Sequence, residues 1–143
     1  MSNKNWIYFG VFLSGMSKTK NLIKLKSNNV VIPEDWKIFN DHMTIAFNNG
    51  SDLAMEIYRY YQIYLEEPTM RDSVVSLVVD GIGISDEAIA LRVKWPLPKA
   101  NKIPHITIAV PPGGKPVNSN KITEWRDIDE FEINGILKTY SKK

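Results

Sequence analysis

Both histidines of this chain head nearly the same phrase: His42-Met43-Thr44-Ile45-Ala46-Phe47 and His105-Ile106-Thr107-Ile108-Ala109-Val110. An imidazole titrates near neutral pH, so two of them can divide acid and base work. One takes a proton from an attacking oxygen while the other gives a proton to a departing one. A threonine hydroxyl two residues on can donate a hydrogen bond to a non-bridging phosphate oxygen as charge builds there. One His-x-Thr tripeptide is ordinary half-exposed strand surface. Two copies with matching apolar flanks predict a paired site in which His42, Thr44, His105 and Thr107 work together. Such a site needs no metal and no other cofactor. With no cysteine, only two histidines and no HExxH-type spacing, a zinc site would have to recruit carboxylates.

Strands must hold these residues. In an extended chain side chains alternate, so His42 and Thr44 share one face while Met43, Ile45 and Phe47 share the other. The second copy sets His105 and Thr107 opposite Ile106, Ile108 and Val110. Around these two strands, the aromatic run 6–13 reads as a buried strand closed by Ser14-Gly15. Residues 17–26 predict a short helix starting at Ser17, with Leu22, Ile23 and Leu25 apolar and Lys18, Lys20, Lys24 and Lys26 solvated. A second helix, capped by Ser51 or Asp52 and stopped by Pro68, shows a stripe of Leu53, Ile57, Tyr60, Tyr61, Tyr64 and Leu65. Strands follow at 73–84 and 87–95, with Gly81 and Gly83 marking a bulge or a close backbone approach. A proline-rich loop over 96–104 feeds the second motif. A helical turn within 118–125, a last strand over 130–140 and a frayed end at Ser141-Lys142-Lys143 complete the reading. The element order predicts a mixed α+β fold around an antiparallel-rich sheet.

The 143 residues suit one domain, 1–143, since nothing resembling a linker interrupts them. Hydrophobic residues at 43% and charged residues at 24% are ordinary for a water-soluble chain. A net charge of +2 admits a small anionic ligand but argues against tight binding of duplex DNA. No apolar run approaches membrane-spanning length, and Met1 to Asn5 lacks a signal-peptide pattern, so a cytoplasmic protein with no membrane partner is expected.

Three further residues are candidate substrate contacts. Tyr8 in the first strand and Trp36 in the loop before the first motif suit stacking on a base, whereas Trp6, Phe9 and Phe12 suit the core. Lys115, in the Pro-Gly-rich loop after the second motif, would reach a phosphate, with Asn118, Ser119 or Asn120 reading a base or ribose.

The paired motifs resemble those of the 2H phosphoesterase superfamily, named for two His-x-Thr/Ser motifs. The resemblance implies a bilobal, pseudo-symmetric α+β fold, with antiparallel sheets flanked by helices. It also implies a phosphodiesterase in which His42 and His105 are the acid–base pair and Thr44 and Thr107 hold the phosphate. The small size looks most like bacteriophage members that degrade the cyclic oligonucleotide signals of bacterial CBASS immunity. This implies a cyclic oligonucleotide substrate, met in the host cytoplasm. The alternative is a short RNA substrate, handled by an RNA-processing 2′,3′-cyclic phosphodiesterase or 2′-5′ RNA ligase-like enzyme.

Overall fold

A long C-terminal strand ties the molecule together. In the computed structural model, which describes residues 6–66 and 74–141, the strands are β1 (Trp6–Leu13), β2 (Lys37–Ile38), β3 (His42–Phe47), β4 (Val74–Ile84), β5 (Ile89–Lys94), β6 (His105–Val110) and β7 (Trp125–Ser141). The helices are α1 (Gly15–Ser27) and α2 (Asp52–Glu66), with a 3₁₀ helix at Pro116–Lys121. At 17 residues β7 is longer than either helix, and it pairs with β1 along one stretch and β4 along another.

The order β6-β3-β1-β7-β4-β5 returns to β6 through a β5–β6 pairing, while two-residue β2 adds to β6 beside β3. Every pairing is antiparallel. The result is a six-stranded antiparallel barrel, mostly sheet, with few helices. This corrects the expected bilobal α+β arrangement of sheets flanked by helices. The closing contacts, β5 to β6 and β7 to both β1 and β4, remove the free edges that would separate two lobes.

One apolar cluster fills the interior. Phe9 and Val11 of β1, Met43 and Ile45 of β3, Leu91 of β5, and Ile106 and Ile108 of β6 are fully buried. Ile57, Tyr58 and Tyr61 of α2 close over it, with Tyr58 stacked on Trp6 at 4.8 Å. Among the described residues no helix is long and apolar enough to cross a membrane.

The helices differ from their expected faces. α1 starts at Gly15, capped by the Ser14 hydroxyl, and buries Ser17, Asn21 and Leu25 while Leu22 and Ile23 stay exposed. The polar face is used: Ser17 Oγ accepts from Asn134 N at 2.9 Å, and Asn21 Nδ2 donates to Asn40 Oδ1 at 2.9 Å. α2 is capped by Ser51, whose Oγ accepts from Ala54 N, and it buries Tyr58 where Leu53 and Tyr60 were expected. Pro68, Lys142, Lys143 and the segment Met1 to Asn5 lie outside the described residues. β7 begins at Trp125, five residues before the expected strand, which ends the preceding turn at Lys121.

Gly81 sits at the anticipated bulge, but what the two glycines make room for is side chains rather than a neighbouring backbone. The β4 register shifts between Val79 and Gly81. A Cβ on Gly81 would meet the Arg92 guanidinium, and one on Gly83 would meet the Trp125 ring at 2.7 Å.

Candidate active site

β3 and β6 lie side by side, meeting at Met43 and Ile106. Each carries the same irregularity. Against β1, the partner of Phe9 is Ala46 and that of Gly10 is Thr44, so Ile45 is the extra residue of a bulge. Against β5, Ile89 pairs with Ala109 and Ala90 with Thr107, so Ile108 is the extra residue. A bulge inverts the alternation beyond it. Phe47, expected on the apolar side with Met43 and Ile45, is instead 50% exposed and lines the same cavity as His42. Val110 likewise leaves the main core and packs with Ala90 and Ile122 in a second cluster.

The small residues opposite the threonines keep the strands close. Gly10 faces Thr44 and Ala90 faces Thr107. A Cβ on Gly10 would collide with the Met43 carbonyl, so only glycine lets β1 and β3 approach as they do.

A cavity of about 660 Å³ opens on this face, and His42, Thr44, His105 and Thr107 all line it. Tyr8 and Lys115 line it too. Trp36 does not; it packs, partly buried, against the interior cluster, so the structure does not bring it to the site. Phe12, expected in the core, stacks on His42 at 5.1 Å, and Tyr8 does so at 4.9 Å. Trp6 and Phe9 are core residues, as expected. Asn120 lines the cavity, whereas Asn118 reaches the Glu87 carbonyl and Ser119 is buried against Thr107.

The two imidazoles are held differently. His105 Nδ1 lies 2.8 Å from the Ile103 carbonyl, which can only accept, so Nδ1 carries a proton and Nε2 is left as the nitrogen with a free lone pair when the ring is neutral. His42 Nδ1 lies 3.2 Å from Asp41 Oδ2, and its Nε2 lies 3.0 Å from Thr44 Oγ1. With Nδ1–H directed at the carboxylate, Nε2 of the neutral ring accepts from the Thr44 hydroxyl. Burial lowers the proton affinity of both rings. The Asp41 hydrogen bond and charge oppose this at His42; at His105 the Ile103 carbonyl opposes it, while the His42 charge lowers the affinity further. The charge of His42 is therefore felt at His105.

Thr107 Oγ1 sits 2.8 Å from Ser119 Oγ and 3.2 Å from the Pro116 carbonyl. The 3₁₀ helix thus anchors the second threonine, whereas the first leans on its own histidine.

Sequence reasoning missed Asp41 and Phe47. Asp41 directly precedes the first motif, and attention to the His-x-Thr spacing alone passes over it. Alternation carried through the bulge puts Phe47 on the wrong face. Among the described residues, no group of three or more His, Cys, Asp or Glu side chains is arranged to hold a metal ion.

Comparison with solved structures finds a crystal structure of a fungal RNA kinase, which superposes with a TM-score of 0.67 at 15% identity. The alignment covers 99% of this chain and 47% of that one, so this chain spans about half its length. That likeness concerns the fold. No curated protein sequence matches. A family model does: the one described as the fungal tRNA ligase phosphodiesterase domain matches residues 21–139, a span that holds both His-x-Thr strands and most of the barrel. By that match, the chain belongs to the fungal tRNA ligase phosphodiesterase domain family.

Proposed function

We propose that this protein is a metal-independent phosphodiesterase that opens 2′,3′-cyclic phosphates at RNA ends. The observation that carries this reading is the convergence of both His-x-Thr pairs on one cavity, in a chain whose family is a phosphodiesterase domain of tRNA ligases. One imidazole removes a proton from water through Nε2 as the water oxygen bonds to phosphorus. The bond from phosphorus to one of the two ribose oxygens breaks, and that oxygen leaves with a proton from the other imidazole. The products are a phosphomonoester and a free hydroxyl on the same ribose. Thr44 and Thr107 donate to the non-bridging oxygens, and Lys115 adds positive charge at the cavity rim. Tyr8, whose ring stacks with those of His42 and Tyr140, lines the cavity where a base would lie.

From sequence, cyclic oligonucleotide signals and phage counter-defence rank first. The family match supports the alternative, RNA end processing, and no observation favours the phage role. The deciding experiment offers an oligoribonucleotide ending in 2′,3′-cyclic phosphate, beside a cyclic dinucleotide, in excess EDTA. Conversion of the RNA end to a phosphatase-sensitive monoester is expected. Intact cyclic ends after long incubation with folded protein would reject the reading.

A further inference from the structure

The cleft does not stop at His105. A second compartment of about 300 Å³ adjoins the main cavity, and the two share Asn101, His105 and Asn120 as lining. Trp125 and Lys102 line this second compartment and not the larger cavity. The Trp125 ring centroid lies 6.2 Å from that of His105, inclined at 42°. The indole is firmly seated: it packs where Gly83 has no side chain, beside Ile122. Lys102 is exposed at the edge, with no ion pair among the described residues.

Resting on the function proposed above, we infer that this compartment is a subsite for a second nucleotide of the RNA strand. The nucleoside bearing the cyclic phosphate occupies the larger cavity beside Tyr8. Its neighbour in the strand passes His105, stacks on Trp125 and sets the intervening phosphate near Lys102. Three features carry this: continuity with the larger cavity across a shared histidine, an immobilised aromatic surface beside that histidine, and an unpaired cation at the rim. A fixed ring loses little freedom when a base stacks on it. A mononucleotide would fill only one of the two compartments. The preferred substrate is therefore a strand of at least two nucleotides.

The test compares a nucleoside 2′,3′-cyclic phosphate with the dinucleotide carrying the same end. For the wild-type protein, kcat/KM for the dinucleotide should exceed that for the mononucleotide by ~10-fold, as one base stack implies. Lys102→Gln and Trp125→Leu should each pull that ratio toward one, and added salt should erode it in the wild type but not in Lys102→Gln. Should Trp125→Leu fail to fold by circular dichroism, the Lys102→Gln ratio decides. A wild-type ratio of one, as for a bay that merely admits water, overturns the subsite while leaving the function intact. If folded protein turns over neither substrate, the proposed function fails instead. The subsite is then judged by calorimetric titration with a nucleoside monophosphate against the phosphorylated dinucleotide, where equal affinities overturn it and ~10-fold tighter dinucleotide binding supports it.

Discussion

Ser119 Oγ lies 2.8 Å from Thr107 Oγ1, and Ser119 is almost wholly buried. Thr107 Oγ1 directs its one hydrogen at the Pro116 carbonyl, which leaves it to accept from Ser119. Ser119 therefore donates, and Thr107 keeps its own hydrogen, given to the Pro116 carbonyl at 3.2 Å and, on the proposed mechanism, turned to a phosphate oxygen when substrate binds. This makes Ser119 a positioning residue. Ser119→Ala should lower kcat by roughly fivefold with little change in KM, the scale of one neutral hydrogen bond at ~1 kcal/mol. In a Thr107→Ala background it should have almost no further effect. Steady-state kinetics of the four proteins check this, and multiplicative losses would contradict it.

The imidazoles and hydroxyls should differ in weight. His42→Ala and His105→Ala should each cost ~10²–10⁴-fold in kcat, because on the proposed mechanism each removes an acid or base acting in the transition state. Thr44→Ala and Thr107→Ala should cost less, about 10–10³-fold, as lost donors to developing charge. Circular dichroism must show the fold retained. A histidine variant with near wild-type turnover would exclude the acid–base assignment.

Proton binding gives a third test, and two histidines make the spectrum simple. Burial lowers both rings below the ordinary 6.5, so both should titrate on the acid side of it by NMR. Asp41→Asn removes the charge and weakens the hydrogen bond that hold His42 up, so the His42 titration should fall further. Folding keeps such groups neutral: the stability tied to them is fully present above about pH 6.5, the unfolded value, and is lost as pH falls through the lower folded values. Thermal melts between pH 7.5 and 5 should therefore show declining stability on acidification. A His42 titration unmoved in Asp41→Asn would refute the role given to that carboxylate.

How much of this was legible follows from which signals are local. The His-x-Thr repeat is local, and so are the apolar alternation of Met43, Ile45, Ile106 and Ile108 and the Ser51 cap. The bulges at Ile45 and Ile108 were not legible, because one unpaired residue leaves no mark on composition yet turns Phe47 and Val110 to the other face. Nor was the barrel. Its closure depends on β5 meeting β6 and on β7 meeting both β1 and β4, and the β7 pairings join residues distant along the chain. The inward face of α1 escapes a search for a hydrophobic stripe, because Ser17 and Asn21 enter by hydrogen bonding to Asn134 and Asn40. Trp36 shows the converse error: an aromatic residue near a motif reads as a ligand contact, yet it packs against the core.

Gly10 joins the fold to the site. It pairs with Thr44 across β1 and β3, and an added Cβ would strike the backbone at Met43, which cannot swing aside as a side chain could. Gly10→Ala must therefore push β3 away from β1, and β3 carries both His42 and Thr44. Strain of this kind typically costs ~1–3 kcal/mol, and the melting temperature should drop by several degrees. Turnover should fall as well, because a shift of even ~1 Å at a catalytic group can cost ~10²-fold. Gly15→Ala is the matched control: it lies at the start of α1, where an added methyl would have nothing within 4 Å, and alanine there should be neutral or stabilising by about 0.4–1 kcal/mol. If calorimetry and kinetics find Gly10→Ala as stable and as active as Gly15→Ala, the close approach of β1 to β3 is not what sets the first His-x-Thr pair in place.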